Sequence, residues 1–267
     1  MAGPANQLPA VQHLVVRYAK RGKMRFASHR DVARVFERGV RRAGLPIAYS
    51  AGFTPHPRIS YAGGAPTGVA SEAEYLALAL TCRQAATRVH ERLNETLPDG
   101  IDVIDVTDAA SGAEAAQGSP GGKAPSLQFE ASSWRVVLPG VEPAAAERAV
   151  AGFLALSEAP VERLTDKGVR RLDARTAVVT LDVLESADPR GGPRAAVTGI
   201  QDCAILRMVV LHTAPAVRPD DVLTALRERH GLVPSLPPII TRLAQGSLTL
   251  LAGETLLWRR CCGAGGP

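Results

Sequence analysis

Two histidines, His29 and His56, lie inside a basic, glycine-rich segment, and Tyr49 falls between them. Histidine titrates near neutrality, so either imidazole has the chemistry of a general acid or base. With Tyr49 beside them, the three residue types would suffice for metal-independent RNA cleavage. Spacing alone leaves open whether they meet. A second pattern is sharper. Arg30, Arg34 and Arg38 recur every four residues, and Arg41 and Arg42 continue the series. On a helix, positions i, i+4 and i+8 share a face, where like charges destabilise the helix by a few tenths of a kcal/mol per pair. Such a stripe suits phosphate groups, with Arg30, Arg34, Arg38 and Arg42 as the contacts. Lys20, Arg21, Lys23 and Arg25 precede it and would enlarge the same surface.

The run LPIAYSAGFTPHPRISYAGGAPTGVAS, residues 45–71, is dense in aromatic residues, Pro and Gly. Tyr49, Phe53 and Tyr61 have rings that could stack on bases, and Arg58 could stack or meet a phosphate. Gly63, Gly64 and Gly68 would let backbone N–H groups approach an anion. Further along, Lys167, Arg171 and Arg175 belong to a charged stretch that reads as a solvated strand edge or hairpin, or alternatively as a second contact surface. No Walker-type phosphate loop, nucleophile elbow or metalloprotease pair is present in the sequence. The four cysteines, Cys82, Cys203, Cys261 and Cys262, have no C-x-x-C spacing and no clustered histidine, so no metal site is expected. Cys82 and Cys203 read as buried thiols, and Cys261–Cys262 as part of a loose tail.

These residues need a scaffold of 267 positions, 46% hydrophobic and 21% charged, enough to bury a core without staples. No stretch approaches 18 consecutive strongly apolar residues, and the first residues lack a secretory signal, so a cytoplasmic protein without membrane association is expected. The net charge is +5 and is unevenly spread. Residues 1–100 hold 14 Lys+Arg against 7 Asp+Glu, and residues 101–267 hold 17 against 19. A concentrated positive field of this kind favours anionic partners, chiefly nucleic acid.

The chain divides at residues 109–127, a segment rich in Ala, Gly, Ser and Pro that reads as a flexible linker. Residues 8–108 alternate as strand 13–18, helix from a Ser28 cap, short extended pieces over 45–61, strand 72–81, helix 83–97 and strand 101–106. Residues 128–260 repeat this more loosely: strand 134–138, helix 143–156, strands 161–164 and 177–184, strand 204–211, helix 218–230 and a last strand near 239–243. Residues 186–193 read as a hairpin loop and 261–267 as a disordered tail. The expected fold is α+β, two tandem ferredoxin-like (βαββαβ) domains.

The first-half motifs resemble an uncharacterised bacterial family of radical-SAM-associated proteins. The likeness rests on Phe26, Ser28, His29 and Asp31, then on Tyr49, Ser50, Gly52, Phe53, Pro55, His56 and Pro57, then on Gly68, Ser71 and Glu74. A second-half stretch, Lys167, Gly168, Arg171, Asp173 and Arg175, adds to it. The resemblance implies a domain fused to, or encoded beside, a B12-binding-type radical SAM enzyme, often near genes for ribonuclease E/G and ribosomal proteins. The chain lacks the C-x-x-x-C-x-x-C trio of a [4Fe–4S] cluster, so it is not itself expected to be that catalyst and no cofactor is expected.

The leading expectation is an accessory protein that binds RNA or a ribosomal particle and works with a radical SAM enzyme. Arg30, Arg34, Arg38 and Arg42 would hold phosphates, and Tyr49, Phe53, His56 and Arg58 would contact bases or the partner. Two alternatives stand beside it: an endoribonuclease using His29, His56 and Tyr49, and a protein–protein adaptor.

Overall fold

A computed structural model describes residues 8–51, 53–109, 127, 129–165, 168–184 and 203–249. The protein is α+β and falls into two compact units, Met1–Gln128 and Phe129–Pro267. The expected linker, apart from Ala109 and Leu127, lies outside the described residues. So do the loop at 186–193 and the tail with Cys261 and Cys262.

The first unit runs β1 (Gln12–Lys20), α1 (His29–Arg42), β2 (Ile59–Ala62), β3 (Ala70–Leu80), α2 (Ala86–Thr96) and β4 (Ile101–Asp108). Its strands pair antiparallel in the order β4-β1-β3-β2. Alternation in β1 turns Leu14, Val16 and Tyr18 to one face, where they meet Leu76, Leu78 and Leu80 of β3. Val32, Phe36 and Val40 of α1, with Val89 and Leu93 of α2, complete this core. Tyr18 and Phe36 pack edge to face, 4.7 Å between centroids.

The start of α1 is set by its first four residues. The Ser28 hydroxyl accepts from the Asp31 backbone N–H at 3.2 Å, and the Asp31 carboxylate accepts from the Ser28 N–H at 3.2 Å, a reciprocal capping box. Gly39 sits where α1 meets α2. A β-carbon there would stand 2.9 Å from Leu97 Cδ2, so the helices approach at a residue without a side chain. Helix α2 begins at Ala86, three residues later than its periodicity predicts. The Gln12 amide holds both backbone groups of Gln84, accepting from its N–H at 2.8 Å and donating to its carbonyl at 3.2 Å. Residues engaged this way cannot join the helical ladder.

The second unit runs β5 (Ala131–Pro139), α3 (Pro143–Leu154), β6 (Pro160–Thr165), β7 (Gly168–Asp173), α4 (Ala174–Ala177), β8 (Val178–Leu184), β9 (Cys203–Leu211), α5 (Pro219–His230) and β10 (Ile239–Gly246). Its main strands pair antiparallel in the order β10-β5-β9-β8. The charged stretch read as a strand edge or hairpin forms β7, which folds back on β6 as a separate two-stranded sheet and adds a strand between the expected strands 161–164 and 177–184. Asp173 explains the exit from that hairpin. Its carboxylate accepts from the N–H groups of Ala159 (2.8 Å) and Arg175 (2.9 Å), turning the chain into α4. The two described cysteines also depart from expectation: Cys82 is exposed and Cys203 half-buried.

Candidate nucleic-acid interface

The arginines of α1 occupy the side of the helix away from its core. At about 100° per residue, Arg30, Arg34, Arg38, Arg41 and Arg42 fall within roughly one third of the circumference, opposite Val32, Phe36 and Val40. All five are exposed. Among the described residues the one ion pair on this stripe is Arg34 with Asp31, at 3.9 Å and well exposed. An exposed pair at that distance neutralises little. The stripe therefore presents a row of guanidinium groups to solvent.

The basic residues before α1 do not extend it uniformly. Lys20 is 3% exposed, and its ammonium donates to the carbonyls of Ala65 (3.1 Å) and Pro66 (3.3 Å). Arg21 binds Glu72 through two of its nitrogens and Asp102 through the third, at 2.9 Å. Its guanidinium pKa is raised, chiefly by the Glu72 hydrogen bonds. Arg25 lies over the Phe26 ring, 4.6 Å from its centroid. Lys20 is thus committed inside the protein and Arg21 to exposed ion pairs with Glu72 and Asp102, so neither enlarges the stripe as the sequence suggests.

The aromatic run divides between two places. Tyr61, on β2, is largely buried against Phe36 and, edge-on at 5.3 Å, against His29, while its hydroxyl donates to the Ala33 carbonyl. Burial, with Glu37 adding, pushes its phenol pKa well up, and its ring packs against the edge of the core. Tyr49, Phe53 and His56 instead belong to a hairpin-like loop. Tyr49 bridges Pro57 antiparallel, the Ser50 N–H donates to the His56 carbonyl at 2.8 Å, and the His56 N–H donates to the Ser50 hydroxyl at 3.0 Å. Phe53 at the end of this loop is fully exposed, and Tyr49 and His56 are exposed beside it. Arg58 closes the loop, its N–H on the Ala48 carbonyl at 2.8 Å. It also sits near His13, whose pKa is lowered first by burial and then by the Arg58 charge.

His29 and His56 do not meet. The chain leading out of the His56 loop pairs Ile59 with Leu78, whereas His29 lies by Tyr61, Gly64 and Glu74. From Glu74 to Leu80 is six strand residues, about 20 Å. Tyr49 and His56 stand together near the Leu80 end of β3, while the contacts of His29 are with Tyr61, Gly64 and Glu74, further down the strand.

The His29 end gathers residues that the sequence motifs named but did not bring together. Glu74 is 2% exposed and accepts from the Ala65 N–H at 3.0 Å. A β-carbon on Gly64 would stand 3.2 Å from His29 Cδ2 and 3.7 Å from the Glu74 carboxylate, so glycine lets this segment lie between them. Gly68, at φ +91°, donates to the Arg25 carbonyl at 2.8 Å. Ser28, His29, Gly68, Ser71 and Glu74, scattered in sequence, thus collect around one end of β3. Strand parity is the signal that finds them: Lys20 shares the inward face of Leu14, Val16 and Tyr18, and Glu74 that of Leu76 and Leu78.

In the second unit Arg171 is exposed and pairs with Glu162 across the hairpin at 2.7 Å. Arg175 is half-buried, its guanidinium donating to the carbonyls of Leu154 (3.3 Å) and Val178 (3.2 Å). It fastens the end of α3 to β8, with its N–H donors engaged by backbone carbonyls. Lys167 lies outside the described residues. Among the described residues no three His, Cys, Asp or Glu side chains converge as a metal site, and no helix is long and apolar enough to cross a membrane.

No curated protein matches the chain. A family described as an uncharacterized protein conserved in bacteria, DUF2344, matches residues 13–219, a span that takes in the arginine helix, the Tyr49–Pro57 loop, the His29–Glu74 cluster and the β6–β7 hairpin. The chain belongs to this DUF2344 family.

Proposed function

We propose that the chain is an accessory RNA- or ribosome-binding protein, non-catalytic itself, that works in the cytoplasm with a radical SAM enzyme. The observation that carries the RNA reading is the exposed arginine face of α1, five guanidinium groups with one weak ion pair among the described residues. The enzyme partner rests on the motif resemblance alone. Two ferredoxin-like domains form the proposed scaffold, supported by the strand orders β4-β1-β3-β2 and β10-β5-β9-β8. In this reading the β6–β7 hairpin is an insertion in the second domain. The physical mechanism is counterion release. Each arginine that meets a phosphate frees a condensed cation, so affinity falls steeply with salt.

The endoribonuclease alternative keeps Tyr49 and His56 as neighbours, with His29 on other contacts, and predicts cleavage that survives EDTA and is lost in His29→Ala or His56→Ala. The test is a salt titration of RNA binding by the full chain and by Arg34→Glu/Arg38→Glu. The wild-type log–log plot should slope clearly downward, and each lost phosphate contact should remove roughly 0.7–0.9 from the slope. A slope identical in the double variant would overturn the assignment of α1. A tagged pull-down split by RNase treatment addresses the partner. A radical SAM enzyme that stays bound after RNase, with no RNA enriched, would replace this reading with a protein adaptor.

A further inference from the structure

Phe53 is the largest apolar group in the described residues left wholly in solvent. A benzyl side chain with no packing partner costs free energy in water, about 25 cal/mol per Å² of ring surface. Yet the base of its loop is held. The Tyr49–Pro57 bridge and the two Ser50–His56 hydrogen bonds staple the base of the loop, and Ala48 and Arg58 tie it to the end of β3. The ring is thus an unpartnered aromatic on a braced support, with Tyr49 partly exposed beside it.

The loop follows the arginine helix closely. Five Cα steps separate Arg42, the last residue of α1, from Ile47, which bridges Leu80, so the two lie within about 18 Å. Arg30 to Arg42 spans about 18 Å along the helix axis. The same unit thus carries a basic row, whose last residue is near the base of the loop, and an exposed aromatic on that loop, the pairing that single-strand-binding surfaces use: cations follow the backbone and rings stack on bases. In a duplex the bases are already stacked on each other, and the A-form major groove is too narrow to admit side chains. A protruding ring gains nothing there.

We infer that the arginine face of α1 and the Phe53 loop together form a binding surface for single-stranded RNA, with Phe53 as the platform on which an unpaired base stacks. This deepens the RNA-binding reading and rests on it. Phosphate contact by α1 does not itself discriminate strand number; Phe53 supplies that preference.

The test uses the full chain and two labelled probes: an unstructured 12-nucleotide RNA, and the same RNA annealed to its complement. Binding is followed by fluorescence anisotropy at several salt concentrations for wild type, Phe53→Ala, Phe53→Trp and Arg34→Glu/Arg38→Glu. Wild type should bind the single strand at least tenfold more tightly than the duplex at matched salt. Phe53→Ala should weaken single-strand binding roughly 5- to 150-fold, the loss expected for one stacked base, with the duplex affinity and the salt slope unchanged. Phe53→Trp should restore affinity, and its added indole emission should be quenched by the single strand. Because Phe53 packs against nothing, these variants should fold as wild type does. Salt-dependent binding that is indifferent to Phe53, or equal affinity for both probes, would overturn this inference and leave the arginine reading standing. Absence of binding to either RNA by wild type would overturn both.

Discussion

Lys20 and Glu74 place charge where the strand pattern calls for hydrophobic groups. Both lie on the helix-facing side of the first sheet, and both hold the same short segment. Lys20 donates to the carbonyls of Ala65 and Pro66, while Glu74 accepts from the Ala65 N–H. A buried charge is tolerated only when its partners are in place, and removing one partner exposes the cost of the rest. Lys20→Met should therefore destabilise the protein by about 2–5 kcal/mol, since it strands two carbonyls and an internal anionic neighbourhood. Urea unfolding followed by circular dichroism would measure this. A loss below about 1 kcal/mol, the worth of an ordinary hydrogen bond, would mean that the Ala65–Pro66 segment reaches water readily. The pair shows why residue roles are only partly legible. Charge type makes Lys20 a surface candidate, and only the parity of β1 argues otherwise. Tyr61 and Arg175 mislead for the same reason. An aromatic ring or a guanidinium in a sequence advertises a binding group, but burial and backbone carbonyls claim it first. The α1 arginines are legible because their apolar counterparts recur at the same helical period on the opposite side.

Helix α1 is the element on which the binding argument depends, and its start is encoded locally. The Ser28–Asp31 box can be read directly from the sequence, since both partners lie within one turn. The Asp31 carboxyl is held below its usual range, first by the Ser28 hydrogen bonds and to a lesser degree by Arg34 and Arg30. Ser28→Ala should cost about 1 kcal/mol of stability. It should leave the salt slope of RNA binding unchanged, because the arginine face lies further along the helix. A thermal melt paired with the salt titration separates the two effects, and a changed slope would place Ser28 in the interface itself. The delayed start of α2 and the pairing of β7 with β6 apart from the main sheet are not legible in this way. Gln12 reaches Gln84 across 72 residues of sequence, and β7 pairs with β6 instead of linking two strands of the main sheet. Local patterns specify elements whose determinants are local. Elements defined by a distant side chain or a pairing choice need the tertiary structure.

Across the whole molecule, charge and titration are arranged differently. Positive charge is concentrated in residues 1–100, which the sequence alone makes plain, while the pH response comes from burial, which it does not. Each unit holds a histidine with a lowered pKa. His13 is lowered by burial and then Arg58, against an opposing Asp108. His212 is lowered chiefly by burial, with Arg242 adding and the Phe129 carbonyl opposing. That carbonyl accepts from His212 Nδ1 at 2.8 Å, which leaves Nε2 to accept from the Ser132 hydroxyl at 2.7 Å. In the unfolded chain both imidazoles titrate near their ordinary value of about 6.5. Between that value and the lower folded values, the unfolded state binds protons that the folded state does not. Stability should therefore decline as pH falls from about 7 through this window. Asp220 works in the opposite sense. Burial and then Asp221 raise its pKa, so its folded form takes up a proton above the ordinary carboxylate range and offsets part of the loss at the acid end. Urea midpoints measured from about pH 8 to about pH 5.5, a range that brackets the ordinary imidazole value, should fall with acidification. His13→Gln and His212→Gln should each flatten the curve, and together should remove most of its slope. A midpoint that stays level across this range in the wild type would show that neither imidazole is held neutral by its surroundings. It would also undo the assignment of His212 as an acceptor fixed between Phe129 and Ser132.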